Sequence, residues 1–103
     1  AIEYETKAET VKNRESYHAL PSYLRYKFAA SGFGFCQVAK GSIEARVVNN
    51  GFGKVWDYAP GALLVKEAGG RVANIGKDTY DYTDLDFVAS NQIVFDELMA
   101  HFS

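Results

Sequence analysis

Apolar and charged residues alternate over Ile2–Glu5, the period-two pattern of a half-buried strand. Thr6-Lys7-Ala8-Glu9 then reads as a capping box, in which the Thr6 hydroxyl takes the Glu9 N–H and the Glu9 carboxylate reaches back. A polar helix over residues 7 to about 17 is expected to follow, and Pro21 keeps it from running on. Leu24, Tyr26 and Phe28 alternate with Tyr23, Arg25 and Lys27, which predicts a second strand. Residues 29–39 carry one apolar face, from Phe33, Phe35, Cys36, Val38 and Ala39, and Gly41 stands where that helix would end. Residues 43–48 alternate again as a strand, and 49–53 are rich in turn formers.

The clearest helix runs over residues 57–68. Asp57 is placed to cap it, Pro60 to fall in its first turn where the missing N–H is harmless, and Gly69-Gly70 to end it. Residues 71–75 and 87–90 read as short strands. A closing helix over 92–102 presents Phe95, Leu98, Met99 and Phe102 on one face, with Asn91 as its cap. Strands that alternate with helices predict a layered α/β domain with a sheet flanked by helices.

The chain has 103 residues, enough for one domain with a modest core. Its 48% hydrophobic and 23% charged content excludes a disordered chain, and the net charge of −2 supplies no basic field for nucleic acid or an anionic membrane. No apolar run is long enough to span a bilayer, and no leader-like segment is seen. The single Cys36 excludes an internal disulfide; it reads as a small core residue in a reducing, cytoplasmic setting. Ala1 fits either a processed start or the edge of a longer chain, and the longer chain is the expectation.

Asp57 is the residue with candidate chemistry. It adjoins helical N–H groups that favour a phosphate, and a carboxylate there suits Mg²⁺, which prefers hard oxygen ligands. Taken by itself Asp57 reads first as an ordinary helix cap, a place Asp favours everywhere, and the two roles are compatible. Trp56 reads as a packing residue, and Ala59, Gly61 and Ala62 as a close-packing face. Asp78, Asp81, Asp84 and Asp86 lack calcium-loop spacing and read as a solvated loop; His18 and His101 have no partner at metal-ligand spacing.

Three segments, Phe35-Cys36-Gln37-Val38-Ala39-Lys40-Gly41, residues 56–70 and Phe87-Val88-Ala89-Ser90-Asn91 with its closing helix, make residues 24–102 resemble the inositol monophosphatase family. The middle one, a Trp-Asp pair followed by small residues, an aliphatic run and Glu-Ala-Gly-Gly, carries most of the likeness. The resemblance implies the C-terminal α/β layers of a sugar-phosphatase (αβαβα) fold, with residues 1–103 one C-terminal domain of a longer phosphatase. It implies Mg²⁺-dependent, lithium-sensitive-type hydrolysis of inositol monophosphate or a related sugar phosphate on a multi-metal site.

By position the resemblance makes Asp57 a metal ligand and places Ala29, Ala30, Ser31 and Asn50 near the substrate. The family's other ligands belong to an N-terminal half that is absent here, so this chain alone should be inactive. The implied partners are a small phosphorylated substrate, that N-terminal half and a homodimer partner, with no nucleic acid and no membrane. Ala29-Ala30 stands where many members have Gly-Ser or Gly-Thr, leaving Ser31 to supply a hydroxyl. Asn50 stands where inositol-specific members have Glu, which keeps fructose 1,6-bisphosphate and a nucleotide 3′-phosphate open as substrates. A non-catalytic interaction or dimerisation module retaining half of the fold is the alternative of another class.

Overall fold

Five short strands form one mixed sheet in a computed structural model, which describes residues 2–5, 26–28, 33–49, 51 and 53–102. The strands are β1 (Ile2–Glu5), β2 (Tyr26–Phe28), β3 (Ala45–Val48), β4 (Arg71–Asn74) and β5 (Phe87–Ser90), in the order β2-β1-β3-β5-β4. β1 pairs in parallel with β2 and β3, whereas β5 runs antiparallel to β3 and β4. The helices are α1 (Phe33–Ala39), α2 (Val55–Glu67) and α3 (Phe95–Phe102). The expected helix over residues 7–17 lies outside the described residues.

Every residue of β3 and β5 is buried, because helices cover both faces of the sheet. Alternation sorts their side chains. Ile2, Ala45, Val47 and Val88 pack with Val94, Phe95 and Leu98 on the α3 side. Val48, Phe87 and Ala89 pack with Phe35, Val38, Tyr58, Ala62 and Val65 on the α1–α2 side. The α/β class with a mixed, helix-flanked sheet is the architecture expected from the sequence. A charge also enters this core: Arg46 and Glu3, Cα partners across β3 and β1, form a buried ion pair at 3.1 Å. The Arg46 guanidinium lies 4.9 Å from the centre of the Phe35 ring.

Strand β4 ends at Asn74, one residue before the expected bound, and two further boundaries, of β3 and the closing helix, differ from expectation. Strand β3 starts at Ala45 rather than at residue 43, although Ile43 is buried in the same core. The closing helix begins at Phe95, preceded by a turn that Asn91 holds: its Oδ1 accepts the N–H groups of Ile93 and Val94, both at 3.0 Å. Asn91 is therefore a cap, but of a turn that becomes α-helical only at Phe95.

The loop between β4 and β5 is organised by Asn74, a fully buried residue. Its Nδ2 donates to the carbonyls of Asp81, Asp84 and Asp86 at 3.2, 3.0 and 3.2 Å, and its Oδ1 accepts the Asp81 N–H. Tyr80 in this loop packs edge-on against Phe87 at 5.4 Å. Burial, and then the charge of neighbouring Asp81, push its phenol above the usual tyrosine range. The acidic run is thus a loop, as its spacing suggested, with a polar core of its own.

Candidate metal-binding site at the start of helix α2

Helix α2 starts two residues before the position read from sequence. Lys54 is the extended N-cap residue, Val55 is the first helical residue, and Asp57 occupies the third helical position. Asp57 is therefore not the cap. Its Oδ2 instead reaches back to accept the Lys54 N–H at 2.7 Å, the acidic half of a capping box. An acid at the third position ties down the same end of a helix as a capping Asp, which is why the two look alike in sequence. The same shift moves Pro60 to the sixth helical position, inside the helix. It has no N–H to give the Trp56 carbonyl, so that turn lacks one helical hydrogen bond.

The Asp57 carboxylate is exposed, and among the described residues Oδ1 takes no hydrogen bond. Tyr58, next along the chain, points the other way. It is buried in the core, with its ring edge-on to Phe87 at 5.7 Å. Its hydroxyl oxygen accepts the Gly53 N–H at 2.6 Å. The two consecutive N–H groups that lead into α2 are thus held by two consecutive side chains of its first turn. Gly53 has no room for a side chain: a Cβ would sit 2.7 Å from the Tyr58 Cζ and hydroxyl and 3.0 Å from the Asp57 Cβ.

Beside Asp57 a hollow of about 270 Å³ opens between α1 and α2, bordered by Cys36, Trp56, Pro60, Gly61 and Leu64. Trp56 is 73% exposed, so it is not the packing residue expected. At the second helical position its ring projects away from the sheet. Cys36 is also exposed rather than buried, because α1 turns Phe35 and Val38 to the core and leaves position 36 outside. The small-residue face does pack closely, since a Cβ on Gly61 would lie 2.3 Å from the Phe35 ring. A larger hollow, about 370 Å³, lies at the other end of α2 around Ala68, Gly69 and Gly70. No acidic residue, His or Cys lines it.

Ala29, Ala30, Ser31 and Asn50 lie outside the described residues. Among the described residues no three His, Cys, Asp or Glu side chains gather as a metal set. Asp57 thus offers one hard oxygen ligand, with one oxygen tethered and the other open, which suits a Mg²⁺-type cation but does not complete its shell. Sequence reasoning found Asp57. It did not find the contact between Tyr58 and Gly53, which depends on how residues 53 and 54 lead into the helix.

A model of the inositol monophosphatase family matches residues 2–103. A 3′(2′),5′-bisphosphate nucleotidase of Emericella nidulans is 34% identical over 62 residues, covering 56% of this chain and 18% of that protein. An inositol monophosphatase of Mesembryanthemum crystallinum is 31% identical over 67 residues, covering 65% of this chain and 24% of that protein. Among solved structures, an IMPase of Thermotoga maritima superposes with a TM-score of 0.78 at 21% identity, covering 98% of this chain and 39% of that one. An IMPase/NADP phosphatase complexed with Mg²⁺ and phosphate gives 0.74 at 17% identity, covering 97% and 38%. At these identities the structural likeness shows a shared fold. The chain spans about two fifths of the length of these solved relatives, and its matched segments less than a quarter of the curated ones.

Proposed function

The chain belongs to the inositol monophosphatase family, and from that premise we propose that it is the C-terminal part of a Mg²⁺-dependent phosphomonoesterase. The observation that carries this reading is the state of Asp57: an exposed carboxylate with Oδ2 tethered to the Lys54 N–H and Oδ1 open. Asp57 would hold a divalent cation there, and when bound that ion supplies charge stabilisation for the leaving oxygen of a phosphate ester. The Lys54 N–H fixes the carboxylate, so little ordering is left for the cation to impose. The N-terminus of α2 adds partial positive charge that favours a phosphate nearby.

Asp57 alone does not make a multi-metal site. We place the remaining ligands on an N-terminal portion of a longer protein, in keeping with the share of the relatives that this chain spans. These residues by themselves are then inactive. The exposed Trp56, Leu63 and Leu64 on α2 give apolar surface for that portion or for a second subunit of a homodimer. The proposed compartment is the cytoplasm. It is supported by the free Cys36, and no described helix is long and apolar enough to cross a membrane.

The proposed substrate is inositol monophosphate or a related sugar phosphate. A nucleotide 3′-phosphate is the second reading, favoured by the nucleotidase among the relatives. The test is phosphate release from both substrates by the full-length protein, with and without Mg²⁺, for wild type and Asp57→Asn. The proposal expects a Mg²⁺-dependent rate that falls more than about 100-fold in the variant, since even residues behind a ligand are worth 10–100-fold. A variant with near-normal activity removes Asp57 from the reaction, and comparison of the two rates decides between the substrates.

A further inference from the structure

We propose that Tyr58 is a positioning residue for the Asp57 carboxylate, acting through the backbone of Gly53 and Lys54; this rests on the reading of Asp57 as a metal ligand. The connection is continuous. Phe87, fully buried on β5, holds the Tyr58 ring edge-on at 5.7 Å. The Tyr58 hydroxyl oxygen holds the Gly53 N–H at 2.6 Å, and the next N–H along the chain, that of Lys54, holds Asp57 Oδ2 at 2.7 Å.

Gly53 makes the hydroxyl necessary. Glycine has the widest backbone freedom of any residue, so a peptide leading out of it keeps one orientation only when something holds it. No larger residue can take its place, because the Tyr58 hydroxyl and the Asp57 Cβ already occupy the Cβ position. Loss of the hydroxyl leaves the Gly53 N–H without this acceptor, so the position of Gly53 is no longer fixed and the 53–54 peptide that follows it can shift with it. The Lys54 N–H then stops fixing Oδ2, and the carboxylate returns to a spread of rotamers that the cation must order on binding. Groups that orient metal ligands from behind commonly contribute 10–100-fold in metal affinity, and an indirect link belongs at the low end of that range.

The obvious bland role for Tyr58 is core packing, and phenylalanine keeps it. Tyr58→Phe preserves the ring against Phe87 and removes only the hydroxyl. The experiment is calorimetric titration of the full-length protein with MgCl₂ alone, for wild type, Tyr58→Phe, Asp57→Asn and Val88→Ala. Val88 lies in the core cluster on the opposite face of the sheet, so its variant reports general loss of stability.

The expected result is loss of a binding step in Asp57→Asn, about 10-fold weaker affinity in that step for Tyr58→Phe, and wild-type affinity for Val88→Ala. Wild-type affinity in Tyr58→Phe alongside loss in Asp57→Asn overturns the positioning role and leaves the Asp57 reading standing. Wild-type binding in Asp57→Asn refutes the Asp57 reading, and this inference with it. Equal weakening in Val88→Ala reduces Tyr58 to a structural residue.

A second measurement needs no variant. By linkage, a cation that gains from an ordered 53–54 backbone must order it further. Mg²⁺ is therefore expected to slow amide hydrogen exchange at Gly53 and Lys54 in the wild-type protein. Unchanged exchange at both positions under saturating Mg²⁺ overturns the proposal.

Discussion

Asn74 offers a quantitative test of how this fold is held. Its amide identity is fixed by its neighbours: the end facing three carbonyls must be the NH₂ group, and the end facing the Asp81 N–H must be the oxygen. Four hydrogen bonds at about 1 kcal/mol each bound the loss in Asn74→Ala at roughly 4 kcal/mol. Two hydrogens shared among three carbonyls make weaker bonds, and part of the released loop can turn to water. The expected cost is therefore about 2–3 kcal/mol, a large share of the roughly 5–15 kcal/mol that stabilises a domain. In urea denaturation followed by circular dichroism this is a fall of about 1–2 M in the midpoint.

Asn74→Asp sharpens the test. The variant keeps an acceptor for the Asp81 N–H but sets a second carboxylate oxygen against three carbonyls. Its carboxyl must then be protonated more readily when folded than when unfolded. A folded pKa raised above the unfolded value costs stability above the unfolded carboxylate range near pH 4, and the cost disappears below it. Asn74→Asp should therefore be less stable than Asn74→Ala at pH 7, and the gap should close as pH falls below about 4. A loss under about 0.5 kcal/mol in Asn74→Ala, or a gap that does not change with pH, refutes the account of the loop.

Two other sites give independent checks. Gly61→Ala drives a methyl group into the buried Phe35 ring, with contacts of 2.3–2.8 Å that neither helix can relieve without moving. It should cost about 1–3 kcal/mol in the same denaturation assay, and a neutral result means that α1 and α2 are not packed at this distance. Asp81 accepts hydrogen bonds from the Thr83 hydroxyl and N–H, and these hold its carboxyl below the ordinary value of 3.8. A depressed folded pKa gives stability that is present above 3.8 and lost as pH falls through the lower folded value. Carboxyl titration by NMR should show Asp81 as a low-titrating group that returns toward the ordinary value in Thr83→Val.

The layered fold was legible because each of its parts has a local signal. Strand β1 appears at the bounds its alternation predicts, β5 appears where a short strand is expected, and Gly41 and Gly69 take the positive φ that ends a helix. Burial was less legible. The alternation over residues 43–48 does not reveal that Arg46 is buried and paired with a Glu more than forty residues away. Trp56 reads as a packing residue and Cys36 as a small core residue on an apolar helix face, yet both lie outside because helical phase, not hydrophobicity, sets the direction of each side chain. Asp57 was found because its neighbourhood is a contiguous motif. Its expected place as the cap lies three residues from the observed cap, Lys54, since a capping Asp and an Asp at the third position tie down the same end of a helix. Tyr58 and Gly53 escaped because their contact is set by the path of the chain before the helix.

The most direct test of the central claim is an anomalous-scattering map from crystals of the full-length protein soaked in Mn²⁺, which substitutes for Mg²⁺ at oxygen-rich sites. The account predicts a peak bonded to Asp57 Oδ1 at about 2.0–2.2 Å, lost in crystals of Asp57→Asn. A map with Mn²⁺ bound elsewhere and none on Asp57 would contradict it.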